Sequence, residues 1–216
     1  MIPARMGSQR LKKKNLQKLN GVPLISHAIR KCIQAGCFSE IWVNSENEHF
    51  GEIAKLEGVL FHKRPEYLGD NNATHEQFIH EFLLNHKCDY ILQVHSIAPL
   101  LTASQVQEFS EFFIHSDYDV MLSCIHDQIE CAYQDKPINF TFNEKTNSQH
   151  LQPIQRITWS ITGWKSTAFL EAYANDKCAT YAGKVGFYQV SPISGHVIKT
   201  HQDLDIAEAL LKVLKE

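Results

Sequence analysis

The feature that most constrains the fold is a regular alternation between apolar stripes of helical spacing and short β-rich runs. Pro23 to Ala35 carries its apolar residues on one helical face and is followed by Gly36, a helix stop signal. Short runs such as Glu40 to Asn44 and Asp89 to Val94 alternate with such stripes. This βαβα order predicts an α/β fold, a three-layer doubly wound architecture with a mostly parallel sheet. Further helices are predicted over 50–57, 74–85, 103–113, 167–174 and 206–214, and further strands over 59–61, 118–124 and 185–190.

One stretch, His126 to Trp164, interrupts this alternation. It contains two strand-like runs, Phe140 to Phe142 and Arg156 to Ile161. Connections of roughly 40 residues are rarely structureless in a compact domain. We therefore predict an inserted β-arm over 126–164 that serves as a lid or a dimer contact, within a single domain over 1–216.

The length and composition exclude several classes of protein. A chain of 216 residues can bury roughly 70% of its unfolded surface without disulfides or metal staples. Its six cysteines form no CxxC pair, which favours reduced thiols. No apolar run approaches the ~20 residues of a membrane helix, and the start does not resemble a secretory signal. We expect a cytoplasmic protein without a membrane partner.

Charge is distributed unevenly along the chain. The first 39 residues carry eight Lys and Arg side chains and no acid, so the rest of a chain of net charge −3 carries −11. A basic pole can bind nucleic acid, and the run Lys12 to Lys14 keeps that alternative open. However, the pI of 6.4 and the absence of aromatic residues between Arg5 and Lys18 favour a small polyanion as the partner.

The basic pole has the organisation of an anion-binding loop. A strand end at Ile2 leads into a loop with Gly7, Ser8 and several cations before the helix that starts near Pro23. Backbone N–H groups of such a loop can form an anion nest, and Arg and Lys side chains can neutralise phosphates. The spacing is neither that of a Walker loop nor that of a Rossmann GxGxxG turn. A solvated basic loop is the alternative.

These residues also resemble the signature of a known family. Ile2-Pro3-Ala4-Arg5, followed by Gly7-Ser8 and Lys14-Asn15-Leu16, is similar to the nucleotide-binding signature of sugar-acid cytidylyltransferases. This family includes the CMP-N-acetylneuraminate, CMP-legionaminate, CMP-pseudaminate and CMP-Kdo synthetases. The segments 64–70, 93–102 and 203–205 resemble further family motifs in the same order, so the resemblance covers nearly the whole chain.

The resemblance implies a nucleotide-diphospho-sugar transferase-like fold and the transfer of CMP from CTP to the anomeric hydroxyl of an acidic nonulosonic sugar. It implies release of pyrophosphate, Mg²⁺ as cofactor, CTP and an acidic sugar as ligands, and a homodimer. The catalytic residues it implies are Arg5, Lys14 and Asp205. The nucleotide-binding residues are Ala4, Arg5, Gly7, Ser8, Lys14, Asn15, Arg64, Asn72 and Thr74, and the substrate-binding residues are Gln93, His95, Ser96, Arg156 and Phe187.

Asp203 and Asp205 are the expected metal ligands. Alternate residues of an extended segment lie on one side and can reach one hard cation. A helix start, where acidic residues suit the N-terminal dipole, is the alternative for this pair. At the level of function, a nucleotidyltransferase using another nucleoside triphosphate and a catalytically silent nucleotide-binding homologue are the alternatives.

Overall fold

The computed structural model describes residues 1–214. Six α-helices and eleven strands cover most of the alternating part of the chain, with four short 3-10 turns between them. The helices are α1 (Leu24–Ala35), α2 (Glu48–Leu56), α3 (His75–Asn85), α4 (Ala103–His115), α5 (Ser166–Ala174) and α6 (His201–Val213). The strands are β1 (Ile2–Pro3), β2 (Lys18–Leu19), β3 (Val22–Pro23), β4 (Trp42–Ser45), β5 (Leu60–Lys63), β6 (Tyr90–Val94), β7 (Val120–Asp127), β8 (Ala132–Tyr133), β9 (Lys136–Pro137), β10 (Ile154–Lys165) and β11 (Val185–Gln189).

Seven strands form the central sheet in the order β5-β4-β1-β6-β10-β7-β11. Strands β1, β4 and β5 pair in parallel, and β6, β10, β7 and β11 form a second ladder. Met1 joins the two ladders: its amino group donates to the Leu92 carbonyl at 2.7 Å, and the Val94 N–H donates to the Met1 carbonyl at 3.2 Å. The strand order therefore reverses between β1 and β6. Only β10 runs antiparallel to its neighbours within this sheet.

Helices cover both faces of the sheet, as the alternation predicts. Buried residues of α1, α2 and α4 share one apolar cluster with β1, β4 and β6. Buried residues of α3 and α5 share a second cluster with β7 and β10 on the opposite face. Helix α6 packs in a third cluster against Leu11, Leu19 and Leu24. The predicted three-layer α/β fold is confirmed.

The predicted arm over 126–164 and the predicted helix over 206–214 have the wrong boundaries. The segment Arg156 to Ile161 is not part of an arm, because it lies in β10, which pairs with both β6 and β7 in the central sheet. Only 128–153 leaves the sheet, and there Phe140 to Phe142 forms no strand; the hairpin is β8–β9 instead. Helix α6 begins at His201, five residues before the predicted start at Ile206.

Within residues 1–214, none of the helices combines the length with the apolar character that crossing a membrane requires.

Candidate functional site

A polar cleft of ≈ 290 Å³ opens at the carboxyl ends of β1 and β6, where the strand order reverses. Doubly wound sheets bind ligands at this position, because the loops that leave two neighbouring strands diverge there. Eight of the predicted site residues line the cleft: Ala4, Arg5, Ser8, Lys14, Asn15, Arg64, His95 and Ser96. The rest of the lining consists of Pro3, Gln9, Arg10, Phe78 and Ile97.

The basic loop after β1 is held in place by Asn15. Lys13 adopts a left-handed conformation with φ 49°, and a 3-10 turn over Lys14–Leu16 then places Asn15 in the interior. The Asn15 Nδ2 donates to the Arg5 carbonyl at 3.0 Å, and its Oδ1 accepts from the Ser96 hydroxyl at 2.6 Å. Asn15 therefore joins the loop that follows β1 to the loop that follows β6. Its role in the structure is to shape the cleft.

Arg64 also contributes mainly to the walls of the cleft. Its side chain is buried, and Nη2 donates to the Ala4 carbonyl at 2.9 Å and to Glu46 Oε2 at 3.0 Å. The guanidinium carbon lies 4.8 Å from the centre of the Phe78 ring, a cation–π contact. The remaining Nε has no hydrogen-bond partner in the protein. Arg64 thus fixes the backbone of Ala4 through its Nη2 donor.

The charge of the cleft has one sign. Its lining holds four cations, Arg5, Arg10, Lys14 and Arg64, and no Asp or Glu. Partial burial lowers the pKa of Lys14, and the positive charges of Arg10, Arg5 and Lys199 lower it further. Like charges that repel one another in a partly desolvated cleft are stabilised by a bound anion. The cleft therefore suits an anion, which favours the phosphate-binding interpretation of the basic loop over the solvated one.

His95 presents a neutral imidazole at the edge of the cleft. Burial lowers the pKa of His95 to about 3, and the neighbouring His75 and Lys14 add to this effect. Its Nε2 is buried without a hydrogen-bond partner in the protein. Such a group can donate or accept a hydrogen bond to a ligand, but its pKa is too low for a general base at neutral pH.

Three predicted nucleotide-binding residues lie outside the lining of the cleft. Thr74 caps α3, where its hydroxyl accepts from the Gln77 N–H at 3.2 Å. The Asn72 N–H donates to Asp70 Oδ1 at 2.7 Å within the same loop, and Arg5 Nη1 donates to the Asp70 carbonyl at 3.1 Å. Gly7 has open space around it. The loop that contains Asn72 and Thr74 therefore borders the cleft through Arg5.

The predicted substrate-binding residues are spread over several places. Gln93 is completely buried below the cleft, and its Oε1 lies 2.5 Å from His75 Nε2. Arg156 lies on β10, where its Nε donates to Asp127 Oδ2 at 2.6 Å, and Phe187 lies half exposed on β11. Of this group the cleft brings together only His95 and Ser96.

The expected metal pair at Asp203 and Asp205 is wrong in its geometry. Both residues lie in α6 rather than in an extended segment, so their side chains point about 160° apart around the helix axis. Asp203 completes a capping box: its Oδ2 accepts from the N–H groups of Lys199 and Thr200, both at 2.8 Å, and from the Thr200 hydroxyl at 2.9 Å. Asp205 is exposed. The helix-start alternative therefore describes Asp203, and the described residues contain no group of three potential metal ligands.

The residues that sequence reasoning missed had weak signals. Arg10 is one of several cations in the loop, and nothing in its spacing separates it from Lys12 and Lys13. Phe78 belongs to the apolar pattern of α3 and has no local sign of a ligand role. His75 reaches Gln93 only because α3 packs against β6, a contact between residues 18 positions apart.

A second cleft of ≈ 320 Å³ lies at the amino ends of the strands. Its lining includes Trp42, His86, Cys88 and Tyr90, which belong to the amino ends of β4 and β6 or to the preceding segments. Doubly wound sheets bind their ligands at the carboxyl ends of the strands, not at these amino ends. The basic cleft is therefore the candidate site.

Comparison with known proteins shows which family the chain resembles. The sequence model of a family described as cytidylyltransferase matches residues 1–190. N-acylneuraminate cytidylyltransferase A of Danio rerio is 25% identical over 214 residues, which is 96% of this chain and 49% of that protein. Pseudaminic acid cytidylyltransferase of Campylobacter jejuni is 30% identical over 122 residues, 54% of this chain and 53% of that protein. The chain spans about half the length of the curated relatives it matches.

Solved structures share the fold. CMP:2-keto-3-deoxy-manno-octonic acid synthetase, in a complex with CTP, has a TM-score of 0.71 and 15% identity, covering 98% of this chain and 96% of that one. The 4-diphosphocytidyl-2C-methyl-D-erythritol synthase of Anaerococcus prevotii has a TM-score of 0.69 and 12% identity with the same coverage. At these identities the likeness establishes the architecture. Because the family model matches most of the chain, the protein belongs to the cytidylyltransferase family.

Proposed function

We propose that this protein transfers CMP from CTP to the anomeric hydroxyl of an acidic nonulosonic sugar and releases pyrophosphate. The observation that carries the proposal is the cleft of four cations without an acid at the strand-order reversal. A triphosphate is the small polyanion that such a cleft suits, and the relatives named for acylneuraminate and pseudaminic acid support the acidic acceptor. We propose a cytoplasmic location for the reaction.

In this reaction the sugar hydroxyl oxygen forms a bond to the α-phosphorus of CTP. The bond between that phosphorus and the oxygen bridging to the β-phosphate breaks, pyrophosphate leaves, and the hydroxyl proton passes to solvent. Negative charge accumulates on the departing pyrophosphate. Arg5, Arg10 and Lys14 line the cleft, and cations placed beside a departing pyrophosphate stabilise its charge in the transition state.

The acceptor lies, in this proposal, beside His95 and Ser96. The unpartnered His95 Nε2 and the neutral state of its ring suit a hydrogen bond to a hydroxyl or carboxylate of the sugar. His95 thus orients the acceptor rather than removing its proton. Arg156 is engaged with Asp127, so capture of the sugar carboxylate by Arg156 requires that ion pair to open.

The test is pyrophosphate release with CTP, UTP, ATP and GTP against N-acetylneuraminate, legionaminate, pseudaminate and Kdo. We expect turnover with CTP and one nonulosonic acid only. Lys14→Met should lower kcat/KM by about 10²- to 10³-fold, the effect of losing one charge-stabilising group. Lys12→Met, an exposed lysine of the same loop outside the cleft, should stay within about twofold. Equal losses in the two variants would contradict the assignment of Lys14.

A catalytically silent nucleotide-binding homologue is the second candidate. The observation that favours it is the absence of any carboxylate from the lining of the cleft. Calorimetry that detects CTP binding while no acceptor of the panel yields pyrophosphate would establish this function instead.

We also propose that the protein forms a homodimer through the arm over 128–153. Its side chains include four large apolar residues that are 57–76% exposed in the single chain, Ile129, Tyr133, Ile138 and Phe142. Exposed apolar residues in one segment favour a protein contact over a solvated surface.

A further inference from the structure

Two carboxylates near the candidate site, those of Glu46 and Asp203, accept hydrogen bonds from the protein. Glu46 Oε1 accepts from the Met6 N–H at 2.8 Å, and its Oε2 pairs with Arg64 at 3.0 Å. Asp203 accepts three hydrogen bonds that cap α6, and Asp205 points to the far side of that helix. Mg²⁺ prefers carboxylate oxygens as protein ligands. The donor set at this cleft therefore does not fit a metal held by Asp203 and Asp205.

The segment before α6 brings a further cation, Lys199, towards the cleft. The Ile198 N–H donates to the Ile97 carbonyl at 2.8 Å, which ties the segment before α6 to the cleft lining. Ile198 also packs with Leu11 of the basic loop. Lys199 follows Ile198 directly, is exposed, and lies close enough to Lys14 for its charge to lower the Lys14 pKa.

We propose that protein cations hold the triphosphate of the nucleotide in place of a carboxylate-bound divalent ion, and that Lys199 is an additional phosphate-binding residue. This inference rests on the proposed CTP site and specifies how that site recognises its ligand. With Lys199, four cations around the cleft have no carboxylate partner among the described residues, namely Arg5, Arg10, Lys14 and Lys199, whereas Arg64 is paired with Glu46. A triphosphate carries about four negative charges, so these cations can match it. Binding of the triphosphate relieves the repulsion among Lys14, Arg10, Arg5 and Lys199, so affinity depends on their combined charge.

The test measures CTP and CMP binding by calorimetry in EDTA and in Mg²⁺. We expect the wild-type Kd for CTP in EDTA to lie within about twofold of that in Mg²⁺. Lys199→Glu should weaken CTP binding at least tenfold, or about 1.4 kcal/mol, and CMP binding far less, because CMP lacks the β- and γ-phosphates. Lys212→Glu makes the same charge change near the other end of α6 and should leave both affinities unchanged.

The outcomes separate this inference from the proposed function. Suppose that CTP binds only in Mg²⁺ and that Asp205→Asn abolishes this binding. That result would overturn the inference and leave the transferase proposal standing. Equal effects of Lys199→Glu and Lys212→Glu would overturn the role of Lys199. Binding in EDTA without pyrophosphate release from any acceptor, with or without Mg²⁺, would support the inference and contradict the transferase. Absence of CTP binding under both conditions would overturn both.

Discussion

Lys31 is a cation in the interior of the protein. It lies on α1, its side chain is buried, and its Nζ donates to the Ala98 carbonyl at 2.7 Å. Ala98 belongs to the loop that follows β6 and carries His95 and Ser96 into the cleft. Burial lowers the pKa of Lys31 to about 7. The bond therefore ties a cleft-forming loop to α1 through an ammonium group whose burial is unfavourable.

This residue predicts a specific dependence of stability on pH. The unfolded chain keeps the Lys31 proton up to about pH 10.5, whereas the folded protein loses it near pH 7. Between these values the unfolded state binds more protons, so the free energy of unfolding rises with pH, by at most ~1.4 kcal/mol per unit. Lys31→Met should remove this rise and stabilise the protein at pH 6.5.

Urea denaturation with reductant at four pH values from 6.5 to 9.5 measures the effect. Lys212→Met, which removes an exposed lysine, is the control and should keep the wild-type slope. A Lys31→Met variant whose stability follows the wild-type slope would show that Lys31 does not titrate in this range.

The apolar stripe of α1 predicts the helix correctly but does not predict which of its residues are buried. Ile33 is an apolar residue of this stripe but is 46% exposed, whereas Lys31 is 5% exposed. Helical periodicity locates the face that packs. Which residues at the margin of that face are covered depends on α4 and the loop before it, which approach α1 from far along the chain.

Among the secondary-structure elements, α6 gives Asp203 its role, because Asp203 lies in the first turn and caps the helix. A helix start leaves unpaired N–H groups, and the Thr200 hydroxyl with the Asp203 carboxylate satisfies those at this end. Partial burial by itself would raise the pKa of Asp203, but the hydrogen bonds from Lys199 and Thr200 outweigh it and lower the pKa. Capping boxes also begin α3 and α4, where Gln takes the position that Asp203 has in α6.

The capping role makes a prediction that a metal role would not. Asp203→Ala should reduce the free energy of unfolding by about 1 kcal/mol, the usual effect of losing a cap. Asp205→Ala, two residues along the same helix and exposed, should change it by no more than about 0.5 kcal/mol. Chemical denaturation in EDTA measures both. Similar losses in the two variants, or losses seen only in Mg²⁺, would contradict the capping interpretation.

In the whole molecule, the position of strand β10 determines where the arm over 128–153 leaves the sheet. Strand β10 is inserted antiparallel between β6 and β7, so the chain leaves the sheet after β7 and returns by β10. The segment between them, 128–153, is the arm. Its exposed apolar side chains are the surface that the proposed dimer would cover.

The dimer is tested by sedimentation velocity at micromolar concentrations. We expect a species of about twice 24.7 kDa, and Phe142→Ser should shift the population to monomer because Phe142 is 76% exposed on the arm. Leu56→Ser is the control: Leu56 is 86% exposed at the end of α2, outside the arm. A wild-type protein that stays monomeric at every concentration would refute the proposed contact.

Local spacing and contiguous motifs are sufficient to predict the alternating helices and strands, the basic loop from Arg5 to Lys14 and the family. Tertiary contacts place β10 in the central sheet, make Asp203 a helix cap, bury Lys31 and bring His75 against Gln93. The physical reason is that strand pairing and burial bring together residues far apart in the chain. A carboxylate or a lysine has the same local signature in either role until its neighbours in space are known.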